Sequence, residues 1–178
     1  MRLALATLAA LALAPAAFAA GSGNATPPKP SETTTVCEEG LVFDIATQTC
    51  LPPEQSTNDA QSMIETAREL AYAGRLADAG RVLDLMPDQS DPWVLTYRGF
   101  LARKSGDLAA AEGYYQAALA LDPDFLLARS YMGQGYVEAG RFELARAELT
   151  EIRLRGGRGS WAETSLRLAL ESGKGFSY

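Results

Sequence analysis

From Asn58 onward the apolar residues of this chain recur with the three- and four-residue spacing of a helix face. The pattern also repeats. The stretches "YAGRLADAGRVL", "KSGDLAAAEGYY" and "EAGRFELARAEL" superpose on Gly74, Gly106 and Gly140, which lie 32 and 34 residues apart. Two positions after each glycine stands a large apolar residue (Leu76, Leu108, Phe142), and five after it an alanine (Ala79, Ala111, Ala145). Nine after it come Leu83, Tyr115 and Leu149, and seven before it a small residue, Ala67, Gly99 or Gly133. This predicts consecutive pairs of antiparallel helices. The glycine allows a tight turn that a Cβ would strain. The small residues let the two helices approach, and the larger ones fill the space between neighbouring pairs. No pair buries its own apolar face alone, so the copies must stack.

Capping signals punctuate the pattern. Asn58 with Gln61, and Ser160 with Glu163, have capping-box spacing. Asp91-Pro92 and Asp122-Pro123 each place an N-cap candidate before a proline suited to the first helical position. The last periodic stretch, "SWAETSLRLALESG", reads as one helix with Trp161, Leu166, Leu168 and Leu170 as its apolar side, covering the open end of the stack. The closing "GKGFSY" carries Phe176 and Tyr178, which either tuck back onto the last repeat or offer a short motif to another protein.

The repeat resembles the tetratricopeptide repeat family. In the middle copy, 92–125, Gly99, Ala102, Gly106, Ala111, Tyr115, Ala118 and Pro123 fall on the family's signature positions. The third copy, 126–159, matches at Gly133, Tyr136, Gly140 and Ala145, with Gly157 where the proline would stand; the first, 58–91, is two residues short. The resemblance implies an all-α fold: a right-handed superhelical stack of about three helical hairpins, then a capping helix and tail over 160–178. It also implies a concave binding face lined by the first helix of each hairpin. The positions so placed are Gln61, Ile64, Arg68 and Tyr72; Trp93, Thr96, Phe100, Arg103 and Lys104; and Leu127, Ser130, Gln134, Val137 and Glu138. None is asparagine, so the lysine–asparagine clamp by which some family members hold a peptide carboxylate is not matched. Aromatic and arginine side chains are the usual anchors of interfaces, which singles out Arg68, Tyr72, Trp93, Phe100, Arg103 and Lys104, with Gln134 and Glu138 beside them. The alternative for Trp93 and Phe100 is packing under neighbouring hairpins.

The chain before Asn58 is different. One arginine, an apolar run from Leu3 to Leu13, Pro15 and the small residues of "AFAA" have the layout of a secretory signal over 1–20, cleaved after Ala19 or Ala20. Residues 21–35, rich in Gly, Pro, Ser and Thr, read as a flexible tether. Residues 36–53 read as a small hairpin closed by a Cys37–Cys50 disulfide, because an exported chain with an even cysteine pair favours a crosslink. Such a loop gains about 3 kcal/mol on the chain-entropy account. "CEEGLVFDIATQTC" resembles one cysteine-bounded segment of the peritrophin-type chitin-binding domain, and this implies an alternative function as a cell-wall or carbohydrate anchor.

Charge and composition narrow the function. The formal charge is −6, and −7 once Arg2 leaves with the signal, which argues against nucleic-acid backbone binding. No segment after the signal is long and apolar enough to span a bilayer. The chain has no histidine, which excludes Ser-His-Asp and Cys-His catalysis and histidine-ligated zinc or haem. Glu38, Glu39 and Asp44 lie on a hairpin too small to exclude water from a carboxylate pair. "RLRGGRGSW" gathers Arg153, Arg155 and Arg158 without phosphate-loop spacing, and "DLMPDQSDP" gathers Asp84, Asp88 and Asp91 without the order of a calcium loop. Both read as inter-helix connections. The expectation is a periplasmic or secreted, non-catalytic module for a protein or peptide partner, with no cofactor and no metal; self-association stays open.

Overall fold

A computed structural model describes residues 27–176; the expected signal, residues 21–26 of the expected tether, and Tyr178 lie outside them. Seven longer helices follow a short N-terminal unit. The three hairpins are α2 (Ala60–Tyr72) with α3 (Leu76–Asp84), α4 (Pro92–Lys104) with α5 (Leu108–Leu121), and α6 (Leu126–Glu138) with α7 (Phe142–Leu154). The last helix, α8 (Trp161–Ser172), packs against both α6 and α7.

The three repeated glycines have φ values of 80°, 88° and 71°. Each closes its helix in the same way. The Gly74 amide donates to Ala71 O at 3.3 Å and the Arg75 amide to Leu70 O at 2.9 Å. The same two bonds recur at Gly106–Asp107 and at Gly140–Arg141. This is the paired C-terminal cap that satisfies orphan carbonyls when a left-handed residue follows the helix. The alanines five residues on are fully buried where each second helix meets the first. The small residues seven before do two different jobs. A Cβ on Gly99 would lie 2.5 Å from the Tyr115 ring, within the same hairpin. A Cβ on Gly133 would lie 2.7 Å from Leu166, so that glycine makes room for α8 instead.

Asp91 and Ser160 cap α4 and α8 as expected, accepting from the amides of Trp93 at 2.7 Å and Glu163 at 3.3 Å. Two other caps differ. Asp59, not Asn58, caps α2 by accepting from the Ser62 amide at 2.8 Å. Asn58 is spent on the β-hairpin, donating to Phe43 O at 2.9 Å and accepting from the Ile45 amide at 3.0 Å. Asp122-Pro123 does not open α6: Asp122 ends α5, Phe125 turns back to bond its carbonyl, and α6 begins at Leu126. The aspartates of "DLMPDQSDP" are occupied locally. Asp84 pairs with Arg98, Asp88 holds Ser90, and Asp91 caps α4. In "RLRGGRGSW", Arg153 pairs with Glu163 at 2.6 Å, Arg155 pairs with Glu151 and Asp124, and Gly157 is packed on Ile152.

The N-terminal unit is more ordered than a tether. Residues 32–35 form one helical turn, α1 (Glu32–Thr35), capped by Ser31. The order comes from Glu69 on α2, which accepts from the Ser31 amide at 2.7 Å, from the Ser31 hydroxyl at 2.6 Å and from the Thr34 hydroxyl. Then β1 (Val42–Asp44) pairs antiparallel with β2 (Thr49–Leu51), Phe43 opposite Cys50, and the Cys37–Cys50 disulfide closes the loop. Buried Asp44 organises the turn: its carboxylate accepts from the amides and hydroxyls of Thr47 and Thr57 and from the Ser56 hydroxyl, at 2.5–3.2 Å. These donors, first the Thr57 amide and then the Thr47 amide, hold its carboxyl well below the usual range.

One side chain bolts this unit to the repeats. Arg75 donates to the carbonyls of Thr33, Cys37, Glu38 and Leu41 and pairs with Asp78 at 2.7 Å. Asp78 also accepts from the Gly40 amide at 2.9 Å, and Arg81 donates to the Gly40 carbonyl at 2.7 Å. The disulfide-closed hairpin thus lies against the first repeat, at the opposite end of the chain from α8.

Candidate functional site

The first helix of each hairpin and α8 contribute one set of side chains to the concave face. Tyr72, Phe100, Tyr131 and Trp161 come there from α2, α4, α6 and α8, and the stack brings them together. Tyr72 stacks on Phe100 with ring centroids 5.3 Å apart, and Phe100 meets Tyr131 at 5.1 Å. The Tyr72 and Tyr131 hydroxyls are hydrogen-bonded, and Trp161 Nε1 donates to the Tyr72 hydroxyl at 3.4 Å. Such offset and tilted ring contacts are favourable beyond the area they bury. Burial pushes the phenols of Tyr97, Tyr115 and Tyr131 up, so they stay neutral.

Beneath the rings lies an ion pair whose cation is buried and whose carboxylate is partly exposed. The Arg103 side chain is fully buried, and its Nη1 donates to Glu138 Oε1 at 2.6 Å. The guanidinium lies 5.3 Å from the Phe100 centroid and 5.9 Å from that of Tyr131. Its Nε and Nη2, like the Tyr115 hydroxyl, make no hydrogen bond of normal geometry, although phenol and guanidinium interact closely enough to perturb one another. Lys104 is half-buried at the edge, its ammonium 5.6 Å from the Phe100 ring. Burial, and then the charge of Arg103, lowers its pKa.

Residues 173–176 complete the face. Gly173 terminates α8 in the left-handed conformation, φ 69°. Gly175 then passes over the ion pair; a Cβ there would lie 1.7 Å from Glu138 Oε1 and 2.5 Å from Arg103 Nη1. The Phe176 amide donates to Gln134 Oε1 at 3.0 Å, and its ring meets Trp161 edge-on at 5.3 Å. Gln134 is held for this by its other end, whose Nε2 reaches the Ser130 and Ser165 hydroxyls at 3.4 and 3.3 Å. Beside Phe176 remains a cavity of about 290 Å³, lined by Ala71, Tyr72, Leu76, Phe100 and Lys104 among others.

The sequence-derived positions divide accordingly. Tyr72, Phe100, Arg103, Lys104, Gln134 and Glu138 come together at this face. Phe100, Arg103 and Gln134 form its floor, at 3%, 3% and 1% exposure. Trp93 lies elsewhere, edge-on to Phe125 at 4.8 Å and stacked on Tyr97, beneath the next hairpin. Arg68 is buried and acts on the Tyr97 phenol. It borders a second cavity, about 400 Å³, between α2 and the N-terminal segment, where Glu69 is already engaged by Ser31 and Thr34. Tyr131 and Trp161 are members of the face that position-by-position transfer from the repeat missed. Tyr131 falls between the transferred positions of α6, and Trp161 belongs to a helix outside the repeats.

Three stacked helical hairpins, a capping helix and an aromatic inner face define a helical-repeat protein. A family model described as Tetratricopeptide repeat matches residues 102–160. That stretch, from the end of α4 to the cap of α8, is similar to the tetratricopeptide repeat family, whose repeats generally mediate protein–protein interaction and are typically non-catalytic. No curated protein and no solved structure matches the chain. Among the described residues, no helix is long and apolar enough to cross a membrane, and no group of three or more acidic or cysteine side chains is placed to hold a metal ion.

Proposed function

We propose that this chain is an exported, non-catalytic interaction module of the bacterial envelope that holds a peptide or partner helix on the concave face. The observation that carries the reading is the reception of residues 175–176 there. A segment lying there finds in the Gln134 side chain an acceptor for its main-chain amide, an aromatic contact in Trp161 and open apolar space beside it. A groove equipped for main chain and one ring suits peptide recognition. The signal-like start and the Cys37–Cys50 crosslink support an oxidising compartment such as the periplasm.

Lys104→Glu is the test, because Lys104 is at the rim while Phe100 and Arg103 are core. Crosslinked partners captured from periplasmic extract by the wild-type chain are expected to fall at least about tenfold with the variant, the loss of one charged interface contact. Far-UV circular dichroism should be unchanged. An identical set of captured proteins would sink the proposal.

A further inference from the structure

We infer that residues 173–176 are a resident stand-in for the partner, and that the partner is an extended peptide carrying an aromatic side chain with an acidic residue beside it. This rests on the concave-face reading above and names what that face selects. Three observations carry it. The tail is seated by the contacts a peptide ligand would use: a main-chain amide on Gln134 Oε1 and a ring against Trp161. Its main chain passes close over Arg103 and Glu138, where a Cβ on residue 175 would meet the ends of both side chains. Finally, Phe176 borders a cavity that it does not fill, lined by Tyr72 and Phe100 among others, with Lys104 contributing a cation.

The charge at that cavity is one-sided. The Glu138 carboxylate is taken by Arg103 at 2.6 Å, and among the described residues no carboxylate forms an ion pair with Lys104. Among residues 173–176 no side chain is acidic, and the charged one, Lys174, has the same sign as Lys104. A partner with a ring for the apolar walls and a carboxylate for Lys104 gains a contact the tail lacks, and this difference lets it replace an occupant held at high effective concentration.

The experiment uses the full chain without its signal, as wild type, Phe176→Ala and Phe176→Ala/Lys104→Met. The probes are labelled hexapeptides: GKGFSY, which copies the tail, GKGASY, which lacks the ring, and GKGFEY, which adds the acid. Fluorescence polarisation reads binding. Phe176→Ala should bind GKGFSY at least about tenfold more tightly than wild type, because the seat is vacated. GKGASY should not bind. GKGFEY should bind several-fold more tightly than GKGFSY, and Lys104→Met should abolish that preference. Should Phe176→Ala melt early, Gly175→Val displaces the tail by collision with the ion pair and gives the same comparison. Equal binding by wild type and the tail variants, binding by none of them, or indifference to the ring overturns the inference. If the peptides fail while partner capture still depends on Lys104, the aromatic-acidic preference falls and the concave-face reading stands; if both fail, both fall.

Discussion

Asp44 shows how much one side chain decides in a unit too small for a core of its own. A two-stranded hairpin is marginal in water, and this one gathers five donors on a single carboxylate. Because the folded group is held below its unfolded value of about 3.9, its contribution is present above that value and is lost as pH falls through it toward the folded pKa. Asp44→Asn is therefore expected to lower stability at neutral pH, with the gap to wild type closing below about pH 4. Urea melts at pH 7 and pH 3 measure this, and a gap that stays constant with pH would refute it. None of this was legible beforehand. Residues 36–53 read as a hairpin, but the Ser56 and Thr57 donors come from beyond that segment.

Among the helices, two glycines separate contact from propensity. Gly99 on α4 faces the Tyr115 ring, and a methyl there would overlap it at 2.5 Å. Gly113 on α5 has nothing within 4 Å of the corresponding position. Alanine favours a helix over glycine by about 1 kcal/mol, so Gly113→Ala should stabilise by roughly that amount. Gly99→Ala should destabilise by about 1–2 kcal/mol, as overpacking outweighs propensity. Thermal melts of the two variants should shift in opposite directions; a shared sign would refute the packing role of Gly99. The repeat spacing marked Gly99 as small for close approach, and that is where it acts. The same spacing marked Gly133, yet its neighbour is Leu166 on α8, since a helix outside the repeat has taken the place of a further hairpin.

The whole molecule is a three-hairpin stack with cover at each end. Repeat stacks expose an apolar face at both termini unless something caps it. Here α8 covers one end, and the disulfide-closed unit, anchored by Arg75 and Asp78, lies against the first repeat at the other. The aromatic contacts from Tyr72 to Trp161 span 89 residues and tie the first helix to the last. That linkage predicts one cooperative unfolding transition. Leu166→Ala, at a fully buried site in α8, should cost about 2–5 kcal/mol and move the entire transition. A melt in which the first hairpin unfolds separately from α8 would show that the ends are not coupled.

The amino-acid sequence alone determined the hairpin series, the left-handed turn at each repeated glycine, the covering helix and the crosslinked hairpin. Those features follow from local backbone preference and from a period of about 34 residues, both carried by near neighbours. Tertiary structure decided which inner-face residues form the floor and which the rim. Arg103 is buried because Glu138, 35 residues away, meets it and the tail closes above. Lys104, next in sequence, keeps its ammonium at the cavity. Burial at such positions is set by distant side chains that no local pattern records.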